Sequence, residues 1–70
     1  METIQAVIFD NTLYTTSQAR AWLKKHSIKP IKRVHNTEHF YRYRIKNPDL
    51  FKRFITKKIH NGIELIIGLK

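Results

Sequence analysis

The stretch His39 to Ile45 alternates without a break: His39, Tyr41, Tyr43 and Ile45 fall at one parity, Phe40, Arg42 and Arg44 at the other. Successive side chains of a β-strand point to opposite faces, so the segment reads as a strand with one mainly aromatic face and one strongly cationic face. The aromatic face has to be buried against another layer, and the guanidinium groups are left on the far side.

The covering layer is found upstream. Ala19, Trp22, Leu23 and His26 recur at the i, i+3, i+4, i+7 spacing of one helical face, with Arg20, Lys24 and Lys25 roughly opposite. Thr15, Thr16 and Ser17 offer N-caps for this helix, and Pro30 is expected to stop it. Before it, Ile4 to Phe9 is a run of β-formers closed by the turn-forming pair Asp10-Asn11. After it, Ile31 to His35 and His39 to Ile45 flank Asn36-Thr37-Glu38, a loop of hairpin length. Asn47-Pro48-Asp49-Leu50 suggests a capped single turn.

From Arg53 onward two strands flank Asn61-Gly62. A two-residue loop would put Ile55 and Ile59 opposite in face to Ile63, Leu65 and Ile67. A three-residue loop, His60-Asn61-Gly62, pairs Ile59 with Ile63 and Ile55 with Ile67 and is the expected register. Residues 1–70 are thus read as a single small basic α+β domain, one amphipathic helix packed on an antiparallel sheet of four to five strands built from hairpins.

The charge is as patterned as the hydrophobicity. Thirteen of the fourteen Lys and Arg residues lie between Arg20 and Lys58, opposed there only by Glu38 and Asp49, and the net charge is +9. Cationic side chains interleaved with core aromatics belong to a folded surface, and such a surface calls for an anionic partner, nucleic acid first. The 41% apolar content is enough for a core, although a chain of this size buries only ~60% of its unfolded surface. With no cysteine, disulfides and thiolate metal sites are excluded. The N-terminus lacks the basic region and apolar core of a secretory signal, and Ile63 to Leu69 is far shorter than the ~20 residues of a membrane span, so an intracellular protein is expected, neither secreted nor transmembrane.

Taken together, Ala19-x-x-Trp22-Leu23-Lys24-Lys25-His26, Tyr41-Arg42-Tyr43-Arg44-Ile45 with Pro48 beyond it, and Gly62-Ile63 through Gly68 resemble a small uncharacterised basic domain of large DNA viruses and tailed phages. The match covers roughly residues 15 to 69. It implies a compact viral domain, free-standing or attached to larger structural proteins, with a giant-virus virion or nucleoid protein as the nearest kind and an infected cell or virion as its location. No activity comes with it.

Function is therefore weighed on the residues. Arg42 and Arg44, two apart on a strand, share a face about 7 Å apart and could meet successive phosphates; the ordinary alternative is a solvated face paired with Asp49 or Glu64. Arg20, Lys24, Lys25, Lys29, Lys32 and Arg33 put six bases within fourteen residues with no acid among them, an electrostatic footprint without a base-reading helix motif. Lys57 and Lys58 face opposite sides of their strand, so only one joins any given surface. The expected nucleic-acid-binding set is Arg20, Lys24, Lys25, Lys32, Arg33, Arg42, Arg44, Lys57 and Lys58. Tyr41, Tyr43 and Trp22 are assigned to the core ahead of base stacking, and His26 to a partly buried position. Asp10, Glu38, Asp49 and Glu64 are dispersed, which leaves no catalytic constellation, and His35 and His39 straddle a turn with no further ligand, so no enzyme, cofactor or metal site is expected. The expected function is a small viral protein that grips the nucleic-acid backbone, DNA first, with little sequence preference, as a packaging or nucleoid component. The alternative is a non-enzymatic protein-interaction or homodimerisation module of a viral structural protein, pairing through Ile4 to Phe9 or Ile63 to Leu69. No membrane partner is expected.

Overall fold

The computed structural model describes residues 2–31 and 33–70. The chain runs β1 (Glu2–Asp10), α1 (Thr16–Lys25), β2 (His35–Asn36), β3 (Phe40–Arg44), a 3-10 turn (Pro48–Leu50), β4 (Arg53–His60) and β5 (Ile63–Leu69). Among the described residues the strands make one antiparallel sheet in the order β2-β3-β1-β5-β4, so the α+β reading stands with five strands.

Strand β1 lies at the centre and carries an irregularity that the local sequence does not announce. Ile4 is opposite Ile67 and Ala6 is opposite Ile66, which leaves Gln5 as an extra residue. A bulge of this kind resets the alternation of side chains, so Ile4 joins Val7 and Phe9 on the helix side instead of following Ala6 and Ile8. The bulged residue is tied to the chain beyond β3. Its carbonyl accepts from the N–H groups of Ile45 (2.8 Å) and Lys46 (3.1 Å), and its side-chain amide donates to the Lys46 carbonyl at 2.9 Å.

On the helix side Val7, Phe9, Tyr43, Ile45 and Ile63 are buried with Ala19 and Leu23 of α1. Phe9 is the hub. Tyr14, Trp22 and Tyr43 meet its ring edge-on at centroid distances of 5.6, 5.7 and 5.7 Å, the arrangement that brings ring edges to the electron-rich face. The Trp22 ring is half-buried and stacks at 3.9 Å on His26, which is exposed and not partly buried as expected, because it lies at the helix C-cap beyond the sheet.

Both ends of α1 are closed by local chemistry. The Thr15 hydroxyl accepts from the Gln18 N–H (3.2 Å) while the Gln18 side-chain oxygen accepts from the Thr15 N–H (2.8 Å), a capping box. The C-terminal stop is not Pro30. The helix ends at Lys25, Ser27 takes φ 57°, its N–H donates to the Lys24 carbonyl and the Ile28 N–H donates to the Leu23 carbonyl. That pair of bonds is the Schellman stop, here with serine in the left-handed position usually held by glycine.

Two strand boundaries also depart from expectation. The arm preceding β3 is only His35–Asn36, and its end is set by the Thr37 N–H, which donates to the Phe40 carbonyl, and the Thr37 hydroxyl, which accepts from the Phe40 N–H, so the turn falls on Glu38-His39. In the last hairpin His60, not Ile59, is opposite Ile63, and the extra residue falls inside β4 between Lys58 and His60. The bulge does what the three-residue loop was expected to do, since Ile55 still meets Ile67. Strand β5 is paired on both sides and β1 from Ala6 to Phe9 likewise, so neither Ile4 to Phe9 nor Ile63 to Leu69 is a free edge strand; the edges are the two-residue β2 and, as the long one, β4.

Because β3 and β4 lie on opposite sides of β1 and β5, the connection between them must cross the sheet. Asn47 caps the 3-10 turn through its side-chain oxygen and the Asp49 N–H (3.0 Å), and Phe51 then lands on Gly68. A Cβ at Gly68 would lie 2.4 Å from the Phe51 ring, closer than any packing allows. Gly68→Ala should therefore destabilise the fold by about 2 kcal/mol or more, whereas Ser27→Gly should stabilise it by about 0.5–1 kcal/mol by relieving the left-handed serine. Thermal unfolding reads both at ~4–8 °C per kcal/mol, and an unshifted Gly68→Ala midpoint would show that Phe51 does not dock there.

Candidate nucleic-acid interface

Two cationic surfaces emerge, separated by the sheet. The first is a groove of about 980 Å³ between α1 and the segment that follows it. Leu23, Ile28, Pro30, Val34 and Tyr43 supply its apolar lining, and Arg20, Lys24, Lys29 and Arg33 its charge; among the described residues no acid lines it. Its shape follows from the Schellman stop. Ser27 turns the chain back toward the sheet, Ile28 packs against the core, and the Ile31 N–H donates to the Arg44 carbonyl at 2.9 Å, laying this segment along the outer side of β3. Arg20 and Lys24, four apart on α1, line it from the helix, and Lys29 and Arg33 from the segment that follows.

The second surface is the sheet face turned away from α1. The register aligns His35, Arg42, Ile8, Glu64 and Lys58 in one row across all five strands, with Arg44 opposite Ala6 in the next row. Arg42 and Lys58 are thus three strand spacings apart, about 14 Å, with the Glu64 carboxylate between them. A shallow recess of about 100 Å³ on this face is bounded by Asp10, Phe40, Lys58 and Glu64. Here acids interrupt the bases. Among the described residues no Lys or Arg lies within 4.0 Å of a carboxylate, so Arg42 and Arg44 are paired with neither Asp49 nor Glu64; the ion pair found is the exposed His39–Glu38 contact at 4.0 Å.

The structure therefore brings together Arg20, Lys24 and Arg33 and adds Lys29, while it sends Arg42, Arg44 and Lys58 to the opposite face. Lys57 is opposite Leu65 on the helix side of the edge strand, away from the groove, and Lys25 is exposed at the end of α1 outside the lining. Lys32 lies outside the described residues. No group of three or more His, Cys, Asp or Glu among the described residues is placed to hold a metal ion, and no helix is long and apolar enough to cross a membrane.

Tyr43 is the residue whose role the sequence pattern understates. Its ring belongs to the core and only 3% of the residue is exposed, yet it lines the groove and its hydroxyl has no hydrogen-bond partner among the described residues. Burial pushes its ionisation above the usual tyrosine value of 10.0, partly opposed by the charge of Arg20. The signal available in the sequence was the hydroxyl itself, since a buried tyrosine ordinarily finds a partner for it. On the far side of the sheet, Asp10 is held below the ordinary carboxylate value by the Thr12 hydroxyl at 2.6 Å and the Thr12 N–H at 2.8 Å.

Comparisons with protein-family models, with curated protein sequences and with solved structures gave no match.

Because the folded state binds the Tyr43 proton more tightly than the unfolded chain does, its contribution to stability is whole below pH ~10 and is lost as the pH rises through the higher folded value. Denaturant midpoints measured on the wild type and Tyr43→Phe from neutral to strongly alkaline pH should diverge, the wild type falling away faster above pH ~10. Parallel curves would mean that the hydroxyl is as well solvated in the fold as in the unfolded chain.

Proposed function

We propose that this chain is a small viral nucleic-acid-binding protein that holds the phosphate backbone with little sequence preference, and that it does so at the groove beside α1. One observation carries this reading: four cationic side chains line a single concavity in which no acid is found among the described residues, in a chain of net charge +9. Phosphate oxygens brought to that rim release condensed counterions and relieve repulsion among the bases, and neither effect depends on base sequence. The far face is the weaker candidate because Asp10 and Glu64 would oppose the same phosphates. A virion or nucleoid setting rests on the resemblance to the viral domain.

Affinity should fall with salt at a slope of roughly −3 to −4 in log K against log concentration if the four groove cations each meet a phosphate. In fluorescence titrations the double variant Arg20→Glu/Arg33→Glu should lose at least ~tenfold in affinity, and Arg42→Glu/Arg44→Glu clearly less. Absence of binding at ~50 mM salt would remove the proposal, and a larger loss from the second variant would move the interface to the far face.

A second reading, a protein-interaction module, is favoured by β4. All eight of its residues are exposed, and Phe54, Ile55 and Ile59 stand 45%, 45% and 40% open on an unpaired strand edge. A second copy pairing there would give a homodimer, against the repulsion of Arg53, Lys57 and Lys58 on both strands. Sedimentation over a wide concentration range decides it: a dimer that dissociates in Ile55→Lys is the expected result of β4 pairing, and a monomer throughout excludes it.

A further inference from the structure

The groove is more than a phosphate rim requires. A duplex presents its phosphates on a convex surface, so its backbone would meet Arg20, Lys24, Lys29 and Arg33 and leave the apolar lining and the Tyr43 hydroxyl unanswered. That hydroxyl is costly where it is. Phenylalanine would fill the same core space without a buried, unpaired oxygen, so the hydroxyl needs a partner that the chain alone does not supply among its described residues.

Resting on the reading above, we propose that the groove takes an unstacked base of single-stranded nucleic acid. The base lies against Ile28, Pro30 and Val34 and, as the wall beneath it yields, hydrogen-bonds the buried Tyr43 hydroxyl, while the four rim cations hold the flanking phosphates. The chemistry of each part matches one part of a nucleotide. An apolar surface receives the flat base, a hydroxyl that can donate or accept reads a polar base edge, and long flexible cations reach outward to the charged backbone. The volume of about 980 Å³ lies at the upper end of the range of small-molecule sites, ample for a nucleotide unit with its phosphates. Arg20 lines the groove together with Tyr43.

Three labelled ligands of equal length separate the possibilities in anisotropy titrations at matched salt: an oligothymidylate, an abasic deoxyribose-phosphate oligomer and a duplex. The oligothymidylate should bind at least ~tenfold more tightly than either of the others, the contribution of a base seated in the groove. Tyr43→Phe should weaken oligothymidylate binding about three- to tenfold, leave the abasic oligomer and duplex unchanged, and melt at or above the wild-type temperature. Equal affinity of the wild type for oligothymidylate and abasic oligomer overturns the proposal without any variant, as does a Tyr43→Phe chain that binds oligothymidylate like the wild type. Both results leave phosphate binding standing, whereas failure of all three ligands at low salt removes the underlying reading as well. Thymidine monophosphate, added as competitor, should displace the oligomer only weakly because it engages one phosphate; displacement at equal concentration would assign the groove to free nucleotides and overturn the single-strand proposal.

Discussion

The extra residue at Gln5 is the constraint on which this small fold turns. Strand β1 pairs on both sides, so its phase sets the facing of β3 and β5 together. A regular β1 would send Ile4 to the face of Ala6 and Ile8 and thin the core beneath α1. The bulge recovers it, and the carbonyl and side-chain amide of Gln5 bind Ile45 and Lys46 just where the chain leaves β3 to cross the sheet. The same residue thus gathers the core and anchors the crossing that ends with Phe51 on Gly68.

With the sheet in place, the cationic block is divided. Its thickness puts Arg42, Arg44 and Lys58 on one side and Arg20, Lys24, Lys29 and Arg33 on the other, so the bases cannot act as one continuous surface. The two sides differ in kind: acids share the flat face, and among the described residues none lines the groove. Since coulombic attraction to a polyanion depends on the sum of nearby charges, the concave side is the one with an unopposed field.

Much of this was legible from local pattern. The alternation from His39 to Ile45 separated the tyrosines from Arg42 and Arg44, because period-two facing needs only the strand itself. The run Thr15-Thr16-Ser17 offered caps for α1, and the structure picks Thr15, whose partner Gln18 completes the box. Other features were hidden because their causes are not local. Ser27 holds a left-handed conformation that serine does not advertise, so the helix end was placed at Pro30. The bulges at Gln5 and before His60 are read only against the partner strand, and strand order, which decided that β4 and not β1 or β5 is the long edge strand, depends on the whole chain.

By itself, then, the sequence determined the α+β class, the cationic surplus and which side chains share a strand face, since these follow from composition and from periods of two and 3.6 residues. Only the tertiary structure decided which bases become neighbours. Lys29 was one member of a charged run until the turn at Ser27 set it around a groove with Arg20, and Tyr43 was a core aromatic until packing made it a groove-lining residue whose hydroxyl is buried and, among the described residues, unpaired. Proximity between residues far apart in the chain is created by packing, and no local period encodes it.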